Sequence, residues 1–597
     1  TTLQSTELLG NVGPSGAWWD EILRYQWLFN QTADGSLARR FAVLSMLLCL
    51  GFTVAMLWRH RRIPGIAVGP AYRIAGLTAL SIAFMAFNPT KWTHHFGAFA
   101  SIAAAIAAVA SLALLPTALR SIRSRLLFMG ALAFILALSF RGQNSWWFVS
   151  NFGVPSGGEA PQIAGIALAS VFFAVCILCF VGALAAHLIA PLRRLPDPRP
   201  EHYGRLLAVA DAPLAVAAWG VVAICVVSFA AATAIQYPAF SIGKSNLRTL
   251  QGNPCALGDE VLAEPDTNAG VLTPLGTHAD PLRAADAVGF DPNGIPGDLT
   301  TKEKTKEGQI STNLGDEENT SEGTAGTTGG RSEVDGINGS HVKLPFGLDP
   351  LQMPVIGSYQ SGPFQGTSRT TTSWYSLPEQ GENRPLITIA AAGRFTSSDL
   401  TIEAGTEQNG QVTSLGTVPF IDIGPEPTWR NLRVPISSLP EGTTTIRLRA
   451  VDSNPDPSRW MAFTAPRVPV LEPMQSVVGD APVLPDWGVA FYVPCMHQFN
   501  EYAGVVTETP EYRILPDRPL AAVSRLWQGA DGGGPLGFTD LYLNADTIPT
   551  YLNHDWGRDW GALEKFNLRV PDSQPAQVEY GTATRSGLWD GGGPLPR

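Results

Sequence analysis

The stretch Ile163-Ala-Gly-Ile-Ala-Leu-Ala-Ser-Val-Phe-Phe-Ala-Val-Cys-Ile-Leu-Cys-Phe-Val-Gly-Ala-Leu-Ala-Ala-His-Leu-Ile189 contains no Asp, Glu, Lys or Arg. Because about 20 apolar residues of helix cross a bilayer, this stretch predicts a membrane span. Five further runs bring the predicted spans to six: Phe41–Trp58, Ile74–Phe87, Ala98–Leu115, Leu126–Phe140 and Leu207–Ile235. The chain is therefore predicted to carry six transmembrane helices over residues 41–237, after an extracytoplasmic loop over residues 1–40.

Arginines between the predicted spans give the orientation. They cluster in three alternate loops, at residues 59–73, 120–125 and 193–205. Basic residues favour the cytoplasmic side, so these loops are predicted to be cytoplasmic, with Arg39 and Arg40 as a local exception. Residues 1–40, the loop with His94 and His95, and everything after Gln236 are then extracytoplasmic. The net charge of −10 gives no reason to expect a nucleic-acid partner.

The second half of the chain is predicted to be β-rich. Short alternating runs between turn clusters predict an antiparallel sandwich or jelly roll over residues 343–475. Polar residues 291–342 predict a mobile insertion. Residues 238–290 and 476–597 are expected to form a second β-rich module. Cys255 and Cys495 are the only cysteines of this half, and an oxidising compartment favours a disulfide between them.

The loop Lys91-Trp92-Thr93-His94-His95-Phe96-Gly97 is the first candidate for chemistry. A lysine, an indole and two imidazoles at a bilayer surface suit an anionic lipid headgroup, with the histidines donating hydrogen bonds to its phosphate. A metal site is disfavoured, because adjacent side chains point apart on regular structure. An interfacial belt of aromatic and basic residues remains an alternative explanation.

Two further groups of residues are candidates in the second half. Asp452, Asn454 and Asp456 place oxygen side chains at alternate positions, but Pro457 and Phe463 exclude an EF-hand, which leaves a calcium loop or an Asx-rich turn. Trp374, Trp487 and Trp556 stand in polar surroundings. Flat indoles of this kind stack on sugar rings, although a single tryptophan is more often part of a core.

Several motifs in fixed order resemble the Emb arabinosyltransferases of mycobacteria and corynebacteria. They are Asn88-Pro-Thr-Lys-Trp-Thr-His-His-Phe-Gly97, Trp146-Trp-Phe-Val-Ser-Asn-Phe-Gly-Val-Pro155, Leu344-Pro-Phe-Gly-Leu-Asp-Pro350, Tyr512-Arg-Ile-Leu-Pro-Asp-Arg518, Asp555-Trp-Gly-Arg-Asp-Trp-Gly561 and Thr584-Arg-Ser-Gly-Leu-Trp589. The resemblance implies a multi-pass plasma-membrane transferase of GT-C type, with extracytoplasmic jelly-roll carbohydrate-binding modules, one of them containing structural calcium. Its substrates would be decaprenyl-phosphoryl-arabinose and the arabinan of arabinogalactan or lipoarabinomannan.

The resemblance also implies residue roles. Trp92, His94 and His95 would border the donor phosphate, Trp487 would contact the acceptor arabinan, and Trp374 and Trp556 would hold glycan further away. Asp452 matches a calcium-associated position of the family.

Other implications concern the whole assembly. A dimer with itself or with a paralogue is expected, and association with an acyl carrier protein is implied. The family's catalytic Asp is expected upstream of Thr1, so no catalytic residue is assigned in this chain. The competing interpretation is a non-catalytic glycan-binding membrane subunit that supports a catalytic paralogue.

Overall fold

The computed structural model describes residues 17–88, 90–117, 122–189, 212–276, 280–283, 287–297, 332–379, 381–502, 505–528, 539, 542–574 and 577–582. It divides into two compact units. The membrane unit comprises residues up to Gln236, Ser241–Gly243 and the last segment from Gln574, and the β-rich unit comprises Tyr237–Phe240 and Lys244–Ser573.

In its described residues, the membrane unit contains one short α-helix and six long ones. Helix α1 spans Ile22–Leu28, and it is followed by α2 (Leu37–His60), α3 (Val68–Met85), α4 (Ala100–Thr117), α5 (Ile122–Phe140), α6 (Leu168–Ile189) and α7 (Pro213–Gln236). A 3-10 turn at Thr93–Phe99 leads directly into α4. Among the described residues, six helices are long and apolar enough to span a membrane, which confirms the predicted number.

Several helices of this unit begin before or after the start of the predicted span, as α3 does at Val68 rather than Ile74 and α5 at Ile122 rather than Leu126. The first span begins at Leu37, so residues 37–40 are helical and do not belong to a loop. The fifth span begins at Leu168, because residues 162–167 form a hairpin of β1 (Gln162–Ile163) and β2 (Ile166–Ala167). Ala164 and Gly165 both have positive φ, as a tight two-residue hairpin turn requires. The apolar composition of this segment concealed the turn.

The β-rich unit contains the remaining elements. Its helices are α8 (Ile242–Leu250), α9 (Leu257–Glu260), α10 (Met474–Val478) and α11 (Arg518–Gln528). Its strands are β3 (Val261–Ala263), β4 (Val355–Gly357), β5 (Ser368–Thr371), β6 (Tyr375–Ser376), β7 (Leu386–Gly393), β8 (Leu400–Gln408), β9 (Gln411–Pro419), β10 (Arg430–Pro435), β11 (Thr445–Asp452), β12 (Met461–Thr464), β13 (Glu472–Pro473), β14 (Val483–Pro485), β15 (Glu501–Tyr502), β16 (Val505–Val506), β17 (Tyr512–Leu515), β18 (Leu543–Ile548), β19 (Thr550–Leu552) and β20 (Ala562–Leu568).

Strands β4–β12 form the predicted antiparallel sandwich. One sheet has the order β10-β7-β12-β4, and the other has the order β5-β11-β8-β9 with β6 beside β11. Side chains that alternate inward from both sheets, such as Ile387, Ile402 and Leu448, fill a single apolar core.

The second module is built from both ends of the β-rich unit. Its sheets have the orders β13-β3-β19 and β14-β17-β20-β18, and β15 pairs with β16. A disulfide between Cys255 and Cys495, with Cα atoms 4.9 Å apart, joins the two pieces of this module across 240 residues and confirms the predicted pairing.

The predicted boundaries of the sandwich are too narrow. Leu272, Leu282 and Phe290, expected in the second module, are buried in the sandwich core. Ile295 and Val342, expected in a mobile insertion, pack in the same core. Their short apolar runs did not reveal this contribution, because each supplies only one or two buried side chains. Residues 298–331, most of the expected insertion, lie outside the described residues.

Candidate functional site

The histidine loop of the membrane unit folds over a buried arginine. Arg24, on α1, has none of its surface exposed. Its guanidinium donates to the backbone oxygens of Trp92 (2.6 Å) and Thr90 (3.1 Å), and it pairs with Glu21 at 2.6 Å. These bonds fix the backbone of the loop just before its histidines.

The same guanidinium fixes the tautomer of His95. Arg24 Nη1 lies 2.8 Å from His95 Nδ1. Because a guanidinium can only donate, Nδ1 must be the acceptor, and the imidazole is neutral with its proton on Nε2. His95 therefore presents a defined N–H donor, which is the group that an oxyanion requires.

A second buried cluster lies beneath His94. Arg39 Nη1 donates to Thr93 Oγ1 at 2.6 Å, and the Thr93 hydroxyl donates to Asp34 Oδ1 at 2.6 Å. Burial raises the pKa of Asp34, although the Thr93 hydrogen bond and the charges of Arg39 and His94 act in the opposite direction. Asp34 thus places a carboxylate near His94 without being exposed itself.

The three predicted donor-site residues lie together, but not as a uniformly exposed group. His94 is exposed and His95 is half-buried, with ring centroids 4.4 Å apart. Trp92 is buried, and its ring stacks on that of His94 with the ring centroids 6.0 Å apart, so it packs against the loop from the protein interior. Among the described residues, no cluster of three His, Cys, Asp or Glu side chains could hold a metal ion.

Lys91 does not add charge to this surface, contrary to the sequence interpretation. Its side chain is fully buried, and Nζ donates to Ala86 O and Asn88 O and lies 3.4 Å from Glu21 Oε2. Burial lowers the pKa of Lys91. The lysine closes the turn after α3, and the charge next to the histidines comes instead from Arg24 and Arg39.

The predicted glycan-binding tryptophans lie on different parts of the β-rich unit. Trp374 is half-buried on the sandwich, where the Arg447 guanidinium lies 4.5 Å from its ring and pairs with Glu403 at 2.8 Å. A Cβ at Gly405 would stand 2.7 Å from the Trp374 ring, so only glycine fits under this indole. The indole therefore packs directly against the backbone of β8.

Trp487 and Trp556 belong to the second module. Trp487 is 39% exposed and follows Asp486, which pairs with Arg513 through both oxygens at 3.0 and 3.1 Å. Trp556 is half-buried against the small core around Tyr551 and Leu471. Trp560, four residues further on, is a core residue.

The Asp452 loop is a series of Asx turns. The backbone N–H of Asn454 donates to Asp452, that of Asp456 donates to Asn454, and that of Ser458 donates to Asp456. Asp452 is buried and accepts a hydrogen bond of 2.6 Å from Ser358, whereas Asp456 is exposed. Burial raises the pKa of Asp452, and the nearby charge of Asp399 raises it further.

This architecture defines a class: a multi-pass membrane protein with a polar histidine loop and a C-terminal pair of β modules. Residues 226–594 match the family of EmbC C-terminal domains, and residues 1–189 match the family described as mycobacterial cell wall arabinan synthesis protein. The chain belongs to the Emb-type arabinosyltransferase family.

Individual relatives agree with this assignment. The chain is 43% identical over 591 residues to probable arabinosyltransferase C of Mycolicibacterium smegmatis, covering 98% of this chain and 54% of the relative. It is 44% identical over 593 residues to probable arabinosyltransferase C of Mycobacterium tuberculosis (strain ATCC 25618 / H37Rv), with the same coverage. The cryo-EM structure of arabinosyltransferase EmbB from Mycobacterium smegmatis superposes with a TM-score of 0.77 at 37% identity, covering 90% of this chain and 52% of that one. The expected fold class is therefore confirmed, and the chain spans about half the length of these relatives.

Proposed function

We propose that this chain is part of an arabinosyltransferase that moves arabinofuranose from decaprenyl-phosphoryl-arabinose to the arabinan of arabinogalactan or lipoarabinomannan. Membership of the Emb-type family supports the reaction class. The observation that carries the role of this chain is the contact between Arg24 and His95, because it leaves His95 as a neutral imidazole with its proton on Nε2.

The chemistry of the transfer explains why such a donor is needed. The bond between the anomeric carbon and the phosphate oxygen breaks, the acceptor hydroxyl oxygen forms the new glycosidic bond, and its proton goes to a base. Negative charge grows on the departing phosphate. His95 Nε2–H and the exposed imidazole of His94 would donate to this phosphate, and fixed donors cost no reorganisation at the moment of transfer. The base would be the family's catalytic Asp, in the part of the relatives' length that this chain does not cover.

The β-rich unit would supply the surface for glycan. Trp487, with two fifths of its surface exposed, is proposed to stack on the acceptor arabinan, and Trp374 and Trp556 to hold glycan further along. This requires the β-rich unit to lie outside the plasma membrane, as the arginine distribution predicts. A dimer with itself or a paralogue, and an acyl carrier protein on the cytoplasmic side, remain the proposed partners.

Calcium on the sandwich is a separate proposal. The Asp452 carboxylate is buried with a raised pKa, and a divalent cation would compensate its charge. Asp452 would be the direct ligand, together with backbone oxygens of its loop. Asn454 and Asp456 would shape that loop through their Asx turns.

The reaction is tested with the full-length gene product in nanodiscs, a radiolabelled polyprenyl-phosphoryl-arabinose and a synthetic oligo-arabinoside. Extension of the acceptor supports the proposal. Trp487→Ala should raise the KM for the acceptor several-fold and leave donor affinity unchanged. Glycan binding without any transfer would instead favour the non-catalytic membrane subunit.

A further inference from the structure

A cavity of about 70 Å³ lies between the sandwich and the second module of the β-rich unit. Arg430 and Arg433 line it from β10, and Arg518 and Asp559 line it from the second module. The lining thus brings three guanidinium groups together with one carboxylate.

Two of the three arginines are neutralised locally. Arg430 pairs with Asp422 at 2.6 Å and with Glu426 at 3.1 Å. Arg518 pairs with Asp559 at 2.9 Å. Arg518 is therefore compensated by one carboxylate, and Arg430 is flanked by two.

Arg433 differs from both neighbours. It is 7% exposed, and no carboxylate lies within ion-pair distance of it in the part of the chain that the structure describes. Its guanidinium donates one hydrogen bond, from Nη1 to Trp556 O at 2.8 Å, and lies 4.8 Å from the Tyr551 ring. Burial lowers the pKa of Arg433, although the charges of Asp559 and Asp422, which lie beyond ion-pair distance, act in the opposite direction.

We propose that this cavity binds a small oxyanion of the phosphate type, with Arg433 as the charged donor. A buried charge without an ion-pair partner is unfavourable, so an anion is the occupant that the site favours. The volume is enough for several waters or for one tetrahedral oxyanion, since one water needs about 10–15 Å³ in this measure. The proposal does not depend on the transferase reaction.

The test is calorimetric titration of the 597-residue chain in detergent with sodium phosphate, at constant ionic strength set by chloride. Saturable binding is expected. Arg433→Gln should weaken it about tenfold to a hundredfold, the usual contribution of a hydrogen bond to a charged group. The matched control is Arg449→Gln, because Arg449 is exposed on the same sandwich, and it should bind like the wild type.

Other results of the titration would contradict the phosphate site. No saturable phosphate heat, or equal affinity in Arg433→Gln, overturns the proposal and leaves a water-filled cavity. If that variant does not fold, Arg433→Met replaces the charged group with an apolar side chain of similar length, and an unchanged affinity there also contradicts the assignment. The phosphate group could belong to a free anion or to a phosphorylated glycan, and titration with a pentose 5-phosphate distinguishes the two. Weaker binding than that of inorganic phosphate indicates the free anion, and tighter binding indicates a phosphorylated glycan.

Discussion

Arg24 Nη1 and His95 Nδ1 lie 2.8 Å apart, although 71 residues separate them in sequence. The arginine is held in turn by Glu21 at 2.6 Å. The series Glu21–Arg24–His95 therefore links a partly buried carboxylate, through a buried guanidinium, to the half-buried imidazole of the loop. Its consequence is a single tautomer for His95, with the proton on Nε2.

Asp34 should be required for the stability of the histidine loop. Asp34→Asn removes the charge that faces Arg39 and weakens the bond to Thr93. We expect a loss of about 1–3 kcal/mol of unfolding free energy, measured by thermal unfolding of the chain in detergent. Glu159→Gln, at an exposed carboxylate, is the control. Equal melting temperatures for both variants would contradict a supporting role for Asp34.

Asp517 should make the β-rich unit less stable as pH rises. Burial, followed by the charge of Asp559, raises the pKa of Asp517 from its usual 3.8 to about 7. Between these values the folded state keeps a proton that the unfolded state has released, so the unfolding free energy falls as pH rises from about 4 to 7. At about 1.4 kcal/mol per pKa unit, the total change is about 4 kcal/mol.

Urea unfolding between pH 4 and 8, followed by tryptophan fluorescence, measures this dependence. Asp517→Asn should flatten it, because the amide still accepts the bond from Leu520 N without titrating. Asp480→Asn, at an exposed site, should leave the slope as in the wild type. A wild-type profile that rises across this range would refute the assignment.

The disulfide should contribute strongly to the stability of the second module. Closing a loop of 240 residues stabilises by roughly 5 kcal/mol in the chain-entropy model. Reduction, or the double change Cys255→Ser and Cys495→Ser, should lower the urea midpoint. Reductant should then have no further effect on the double variant. An unchanged midpoint would show that packing alone joins the two pieces.

Calcium, if it occupies the Asp452 loop, should stabilise the sandwich. A chelator should lower the melting temperature of the wild type, and Asp452→Asn should remove that sensitivity. Glu441→Gln is the matched control, since Glu441 is exposed elsewhere on the sandwich. Identical curves with and without chelator would exclude a structural ion.

Local patterns were sufficient to predict much of the fold. Six apolar runs predicted six helices, alternation predicted the sandwich, and two cysteines in one half predicted the disulfide. The buried supports of the site could not be predicted in this way. Arg24 and Asp34 lie in a segment that resembles a polar loop, and their partners in the histidine loop are 59 to 71 residues away.

One signal of this site was present in the sequence. Arg39 and Arg40 violate the expected charge distribution, and the structure explains why. Arg39 bonds to Thr93 and Asp34, and Arg40 donates to the backbone oxygens of Leu28 and Asn30 at 2.8 Å. The side chains of both arginines make hydrogen bonds inside the protein, so their position does not indicate which side of the membrane they lie on.

The most direct test of the account is the affinity of the 597-residue chain in nanodiscs for decaprenyl-phosphoryl-arabinose, compared between two changes at one position. His95→Gln keeps an N–H donor close to the place of Nε2, whereas the shorter side chain in His95→Asn does not reach it. We predict that His95→Asn weakens donor binding at least about tenfold, the effect of one charge-assisted hydrogen bond. His95→Gln should retain most of the affinity, and His60→Gln, at an exposed helix end, should retain all of it. Donor affinity that is equal in His95→Asn and the wild type would contradict the assignment of this loop to the lipid phosphate.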